Sequence, residues 1–270
     1  MTYKVQKIYI HPVKGLTPQE ATHADLVAGH GISGDRAFGL LFCDTQPGEF
    51  SRHMPPQDKK FLATQNDWPA LAALAVHVDL HSGEMIVKSD NKILLIASTK
   101  SETDLLRIDE FFSKYLLDKT PARAANHPKP GPLKMVGALG TASRFPDRSK
   151  YNISILNLAS LRELERIAGA VVDIRRFRGN IIVDTGKPWE EYEWLGKTAM
   201  LGSSEIAIDG KIGRCSNINV HPDEGVLDLN LLVNLAKAPI KGAFGVLANI
   251  RSTGAVATES AGSDCVLSIN

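Results

Sequence analysis

Cys215 is the residue whose neighbours point most directly to chemistry. Arg214, Ser216, Asn217 and Asn219 surround it, so a thiol lies beside a cation in a polar stretch. A cysteine sulfur in a polar setting can attack electrophiles or bind metals. The opposing reading is a small hydrophobe half-buried in a strand. Arg178 and Asn180 stand two apart in Arg-Phe-Arg-Gly-Asn-Ile-Ile-Val-Asp. On a strand they would share a face and jointly hold an anionic ligand, with Gly179 letting it approach the backbone. Alternatively Arg178 is a surface residue paired with Asp173 or Asp184. Lys14 follows His11-Pro12-Val13, and Arg36 follows Gly31-Ile32-Ser33-Gly34-Asp35, so each is a cation in a tight turn. Either alone reads as a solvated loop charge. A helix N-terminus near Asn157 would add free N–H groups and a favourable dipole for a phosphate.

Weaker candidates are set aside on pattern. His77 and His81 are four apart, but their run reads as strand and does not give the helical zinc-protease geometry. Cys43 and Cys265 lie in apolar runs and read as packing residues.

The elements that must position these groups are mainly strands. Residues 5–10, 37–43, 74–80, 85–88 and 93–96 are short apolar or alternating runs bounded by Gly, Pro and Asp, a β-rich pattern rather than repeated βαβ units. The spacing predicts a helix capped by Ser101, with Leu105, Ile108, Phe112, Tyr115 and Leu116 on one stripe. Residues 121–146 read as a connection, or as a loop over a site. A second section begins near Tyr151: a strand at 153–156, then a helix with stripe Leu158, Leu161, Leu164 and Ala168 closed by Gly169. Its cap is either Asn157 or Ser160 with Glu163. Residues 177–184 read as a strand, followed by a loop anchored by Trp189 and Trp194. Residues 205–208, the pair Asp209-Gly210 and the run from Lys211 read as a type I′ hairpin. Strict alternation would strand Arg214 on the apolar face, so a bulge near Gly213 is expected. After it come a turn over His221-Pro222-Asp223-Glu224-Gly225 and a helix over 229–236.

Composition limits the functions. With 43% hydrophobic residues, the 270-residue chain can bury a large core. Lys and Arg total 31 against 30 Asp and Glu, so nothing drives sequence-independent nucleic-acid binding. Three widely spaced cysteines without a CxxC favour a reducing compartment over disulfides or a zinc ribbon. No apolar run is long enough to span a bilayer, and a cytoplasmic protein without membrane attachment is expected.

The motifs Pro12-Val13-Lys14-Gly15, Gly34-Asp35-Arg36, Phe177-Arg178-Gly179-Asn180, Trp194-Leu195-Gly196, Arg214-Cys215 and Val220-His221-Pro222-Asp223-Glu224-Gly225, in that order, resemble MOSC-domain proteins with an N-terminal MOSC β-barrel domain. The likeness spans nearly the whole chain and is nearest to bacterial N-hydroxylated-compound reductases and mitochondrial amidoxime-reducing components. It implies an α+β, mainly β fold with several helices: a β-barrel-like domain over 1–119 packed on a MOSC β-barrel domain over 120–270. It also implies a molybdenum cofactor (Mo-molybdopterin) whose metal is bound by Cys215. Lys14, Gly15, Arg36, Asn157, Arg178, Asn180, Gly213, Arg214 and Phe244 match positions that cradle the pterin and its phosphate. Pyridoxal phosphate binding is a further family-level association. Several residues depart from the relatives: Gly15, Asn157 and Gly213 replace serines, Phe244 replaces a tyrosine, and His221 replaces the more usual aspartate. Asp223 is either a site residue or a turn former.

The reaction so implied is removal of oxygen from a small N-oxygenated substrate. Without a haem, flavin or iron–sulfur signature in the chain, electrons would come from a separate haem or iron–sulfur protein with a flavin reductase. The competing reading is a sulfur carrier with a persulfide on Cys215, and a third is carriage or storage of the cofactor without turnover.

Overall fold

The computed structural model describes residues 1–45, 51–53, 55, 57–140, 145–147, 153–262 and 265–270. In chain order the strands are β1 (Thr2–Ile10), β2 (Gln19–Ala21), β3 (His23–Val27), β4 (Gly31–Ile32), β5 (Phe38–Phe42), β6 (Ala75–Val78), β7 (Glu84–Ser89) and β8 (Lys92–Ser98). Helix α1 (Glu102–Leu116) follows, then β9 (Leu133–Gly137), β10 (Ile153–Asn157), α2 (Leu158–Ala168), β11 (Ile181–Val183), β12 (Lys197–Leu201) and β13 (Ser204–Gly213). The chain finishes with α3 (Leu231–Lys237), β14 (Ala243–Ile250), β15 (Gly254–Ala257) and β16 (Val266–Ile269). Tyr151 lies outside the described residues. Among those described, no helix is long and apolar enough to cross a membrane.

Seven strands close into a barrel in the order β11-β10-β14-β13-β12-β16-β1, with β1 pairing back onto β11 and β2 adding beyond β1. Only β10 and β11 run parallel; the other barrel pairings are antiparallel. Alternation sorts the side chains into two cores. Ile155, Ile181 and Val183 pack with Val5, Ile208, Val246 and Leu267. Their neighbours Leu156 and Ile182 pack on the other side with Leu161, Leu164 and Leu235 from α2 and α3. A second body is built from β5–β9, the β6-β7-β8 sheet and the buried face of α1, with Ile108, Phe112 and Leu116 in its core.

The expected boundary at residues 119 and 120 is crossed by hydrogen-bonded pairs in both directions. β1 lies in the barrel made otherwise by residues beyond 150, and β9 pairs with β5. The region 121–146 is therefore not simply a connection, since it contributes a strand.

Capping follows the sequence closely. Ser101 Oγ accepts from Asp104 N at 3.3 Å and Asp104 Oδ2 accepts from Ser98 N at 2.8 Å, satisfying donors around the start of α1. Asn157 caps α2 by accepting from Ala159 N at 3.0 Å, and Gly169 ends it at φ 68°. Ser160 is not the cap, because its hydroxyl donates to buried Glu191 and accepts from Trp189 N.

The expected hairpin at Asp209-Gly210 does not form. β13 runs straight through these residues with a register shift against β14 between Ile208 and Gly210. The tight turn lies instead between β12 and β13, where Leu201 pairs with Ser204 and Gly202 takes φ 56°. A second shift falls between Lys211 and Gly213, at the expected bulge.

Candidate functional site

β13 ends at Gly213, so Cys215 is not in a strand. It precedes a short 3-10 helix, Ser216–Asn219, and its thiol is exposed. The segment is held on three sides. Arg214 N donates to Gly242 O at 3.1 Å, Ser216 Oγ donates to Asn66 Oδ1 at 2.9 Å, and Asn219 Oδ1 accepts the first free N–H groups of α3, from Leu231 and Leu232. The guanidinium of Arg214 donates to Phe177 O at 2.7 Å and, through Nε and Nη2, to Phe244 O. It sits 5.5 and 6.0 Å from the centroids of those two rings, which stack at 4.0 Å. Arg214 therefore fixes the course of the backbone that presents Cys215.

A cavity of about 620 Å³ opens at this sulfur, a size suited to a small organic ligand. Lys14, Gly15, Arg36, Arg178, Asn180, Gly213, Arg214 and Cys215, dispersed over 200 residues of sequence, all line it. Asn157 and Phe244 do not. Asn157 is completely buried, with Nδ2 donating to Thr185 Oγ1, Lys187 O and Glu191 Oε2. Phe244 is also completely buried and serves the site through its ring and its carbonyl. Neither is a wall residue, because each spends its side chain on the packing around α2 and β14.

Arg178 and Asn180 meet the cavity by a route other than strand alternation. Arg178 ends the 3-10 turn Ile174–Phe177 in the left-handed region, φ 49°, ahead of β11. Its Nη1 donates to Leu16 O at 2.5 Å. Asn180 is a buried crosslink: Nδ2 donates to Tyr9 O and to Asp35 Oδ1, while Oδ1 accepts from Ser154 Oγ at 2.9 Å. The missing Cβ of Gly179 makes room for Leu156, 2.4 Å from where that atom would stand, and not for a ligand.

Three buried cations, Lys14, Arg36 and Arg178, meet on one wall, where Asp147 and Asp35 offset part of their charge. Burial and the neighbouring Arg36 charge pull Arg178 down to about 10. Burial also lowers Lys14, an effect that Asp147 opposes and Arg36 and Arg178 reinforce. Cations crowded on one low-dielectric wall are relieved by an anion between them. Arg176, also on the wall, is already matched by a two-toothed pair with Asp228. Behind the wall, Asp35 accepts from His11 N at 2.8 Å, Arg36 Nη1 at 2.5 Å and Asn180.

His221 is not on the wall; its Nδ1 accepts from Asp223 N and Glu224 N, closing its own turn. Asp223 makes a two-toothed pair with Arg175 that ties this turn to the 174–177 segment. Neither residue lines the cavity. Asp147 and the polar stretch from Thr64 to Asp67 line the cavity without having been singled out from sequence. Phe145 and Pro146 end the region 121–146 read as a connection or a loop over a site, and Asp147 lies one residue beyond it. Among the described residues no group of three His, Cys, Asp or Glu is arranged to hold a metal ion.

Residues 142–261 match the MOSC domain family. The chain is 43% identical over 53 residues to Molybdenum cofactor sulfurase 1 of Aedes aegypti, covering 20% of this chain and 7% of that protein. It is 31% identical over 83 residues to Molybdenum cofactor sulfurase of Drosophila mojavensis, covering 31% and 10%. These matches thus span 10% or less of the relatives' length. Among solved structures, the YUAD protein from Bacillus subtilis aligns over 100% of this chain and 96% of its own, at TM-score 0.45 and 11% identity. YiiM from Escherichia coli aligns over 44% and 54%, at TM-score 0.30 and 20% identity.

Proposed function

Taking as premise that this is a MOSC-domain protein, with the domain at residues 142–261, we propose that its cavity binds a molybdenum cofactor through the Cys215 sulfur and reduces N-hydroxylated compounds to amine or amidine plus water. One observation carries the cofactor reading: an exposed thiol stands on the wall of a cavity shared with Lys14, Arg36 and Arg178. The residues fit the group. A soft sulfur donor suits a metal already bound by sulfur, and crowded cations suit a pterin phosphate.

Bound there, the cofactor would supply two-electron redox chemistry at a metal able to accept oxygen. The chain's part is positioning. Arg214 and the Ser216–Asn66 bond fix the Cys215 backbone, and Lys14, Arg36 and Arg178 offset anionic charge. Two electrons and two protons are needed for each N–O bond cleaved with release of water. The electrons would come from a separate haem or iron–sulfur protein served by a flavin reductase.

Protein made in a molybdenum-replete host should contain near-stoichiometric metal and pterin, and reduce a benzamidoxime-type substrate with artificial donors. Cys215→Ser should lose both the metal and the activity. Loaded protein inactive with every donor would remove the reductase assignment. The exposed thiol also supports a second reading, sulfur carriage on a Cys215 persulfide, in keeping with the names of the relatives matched over short segments. Metal-free protein with cyanide-labile sulfur on Cys215 would favour it.

A further inference from the structure

Lys14 Nζ is enclosed by three acceptors from one short stretch: Phe145 O at 3.2 Å, Pro146 O at 3.0 Å and Asp147 Oδ1 at 2.7 Å. The other oxygen of Asp147 lies 3.7 Å from Arg36 Nε. A carboxylate of the chain thus sits between two of the cations that would receive an anionic ligand. The three side chains differ in freedom. Those of Lys14 and Arg36 are only 2% and 8% exposed, whereas Asp147 is 60% exposed. Asp147 can turn into solvent while two carbonyls continue to hold Lys14.

We propose that Asp147 sets the charge selectivity of the cavity, as an internal carboxylate that a phosphate dianion displaces from Lys14 and Arg36 and a monoanion does not. The inference rests on reading the cavity as an anion site. Exchange of Asp147 for a free monocarboxylate replaces one such contact with another. The tethered group also has the advantage of an effective concentration on the order of millimolar. A dianion has twice the charge to set against Lys14, Arg36 and Arg178 in a poorly screened wall, so its gain exceeds what Asp147 supplies. Asp147 is a full competitor at neutral pH. Desolvation at the cavity mouth opposes its charge, but Lys14 and Arg36 outweigh that and hold its carboxyl well below the ordinary range.

The test is calorimetric titration of the full chain, prepared without cofactor, against inorganic phosphate and against acetate at mildly alkaline pH, where phosphate is a dianion. The natural protein should bind phosphate and give no measurable acetate binding. Asp147→Asn should tighten phosphate by about tenfold, the factor expected if the vacant wall is about a tenth populated, and should make acetate binding detectable. Asp147→Ala should behave alike, which removes any contribution from the new amide. Unchanged or weaker phosphate binding in both variants overturns the selectivity role and leaves the anion site standing. So does acetate binding by the natural protein as tight as phosphate. Absence of phosphate binding in all three proteins overturns the anion site and the inference together.

Discussion

Asn180 Nδ2 donates to Asp35 Oδ1 at 3.2 Å, across 145 residues of sequence. The same carboxylate receives His11 N and Arg36 Nη1, so one buried acid aligns the turn bearing Arg36 with the segment bearing Arg178 and Asn180. The two halves of the cavity are set against each other by this group.

Asp35→Ala should therefore cost about 3–5 kcal/mol, the usual penalty for stripping a buried ion pair of one member. Denaturant unfolding measures it, and a loss below about 1 kcal/mol would be that of a peripheral group.

His11 makes stability depend on pH. Burial and the Arg36 charge lower it from 6.5 to about 3 in the folded protein. The unfolded chain therefore binds more protons between these values. The stabilisation is fully present above about 6.5 and is lost progressively as pH falls toward about 3. At one pKa unit per 1.36 kcal/mol its full extent is on the order of 5 kcal/mol. Unfolding measured across this window should show a shallower slope in His11→Asn, and an equal slope in both proteins would assign the dependence to other groups.

Gly15→Ser, which restores the residue of the resembled relatives, should destabilise the chain. Gly15 has φ 83°, and an added Cβ would stand 2.4 Å from Ala63 O and 2.8 Å from Thr64 Cα. A thermal melt should show a loss of about 1–3 kcal/mol from backbone strain, whereas an unchanged melt would mean that the Ala63–Thr64 backbone yields freely.

In protein prepared without cofactor, Cys215→Ser should leave stability within about 0.5 kcal/mol, because the residue is exposed. Molybdenum content of protein made in a molybdenum-replete host should nevertheless fall. A large stability loss without change in metal would make the thiol structural.

Local signals were readable from the sequence where one segment decides the outcome. The Ser101 and Gly169 caps and the Gly213 bulge depend on a few neighbouring residues, and they stand where the pattern put them. Asp209-Gly210 misled because the surrounding residues are paired to β14, and a bulge satisfies the same two residues without ending the strand. The cations were recognisable as a set, but their partners were not. Lys14 meets residues 145–147, Arg178 meets Leu16, and Arg214 meets two carbonyls on separate elements. Asn157 and Phe244 fell outside the cavity for the same reason, since burial among distant elements is not encoded near either position.

Because β1 is hydrogen-bonded to β11 on one side and β16 on the other, closing the barrel joins residues from 173 to 266 positions apart, Ile8 with Ile181 and Thr2 with Ser268. Until residues 266–269 emerge, Val5 and Ile8 of β1 have no finished interior to enter. Such long-range closure makes for slow maturation and a nascent chain with an unpaired strand edge. The wall that gathers Lys14, Arg178 and Cys215 is thus assembled only once these distant strands have met.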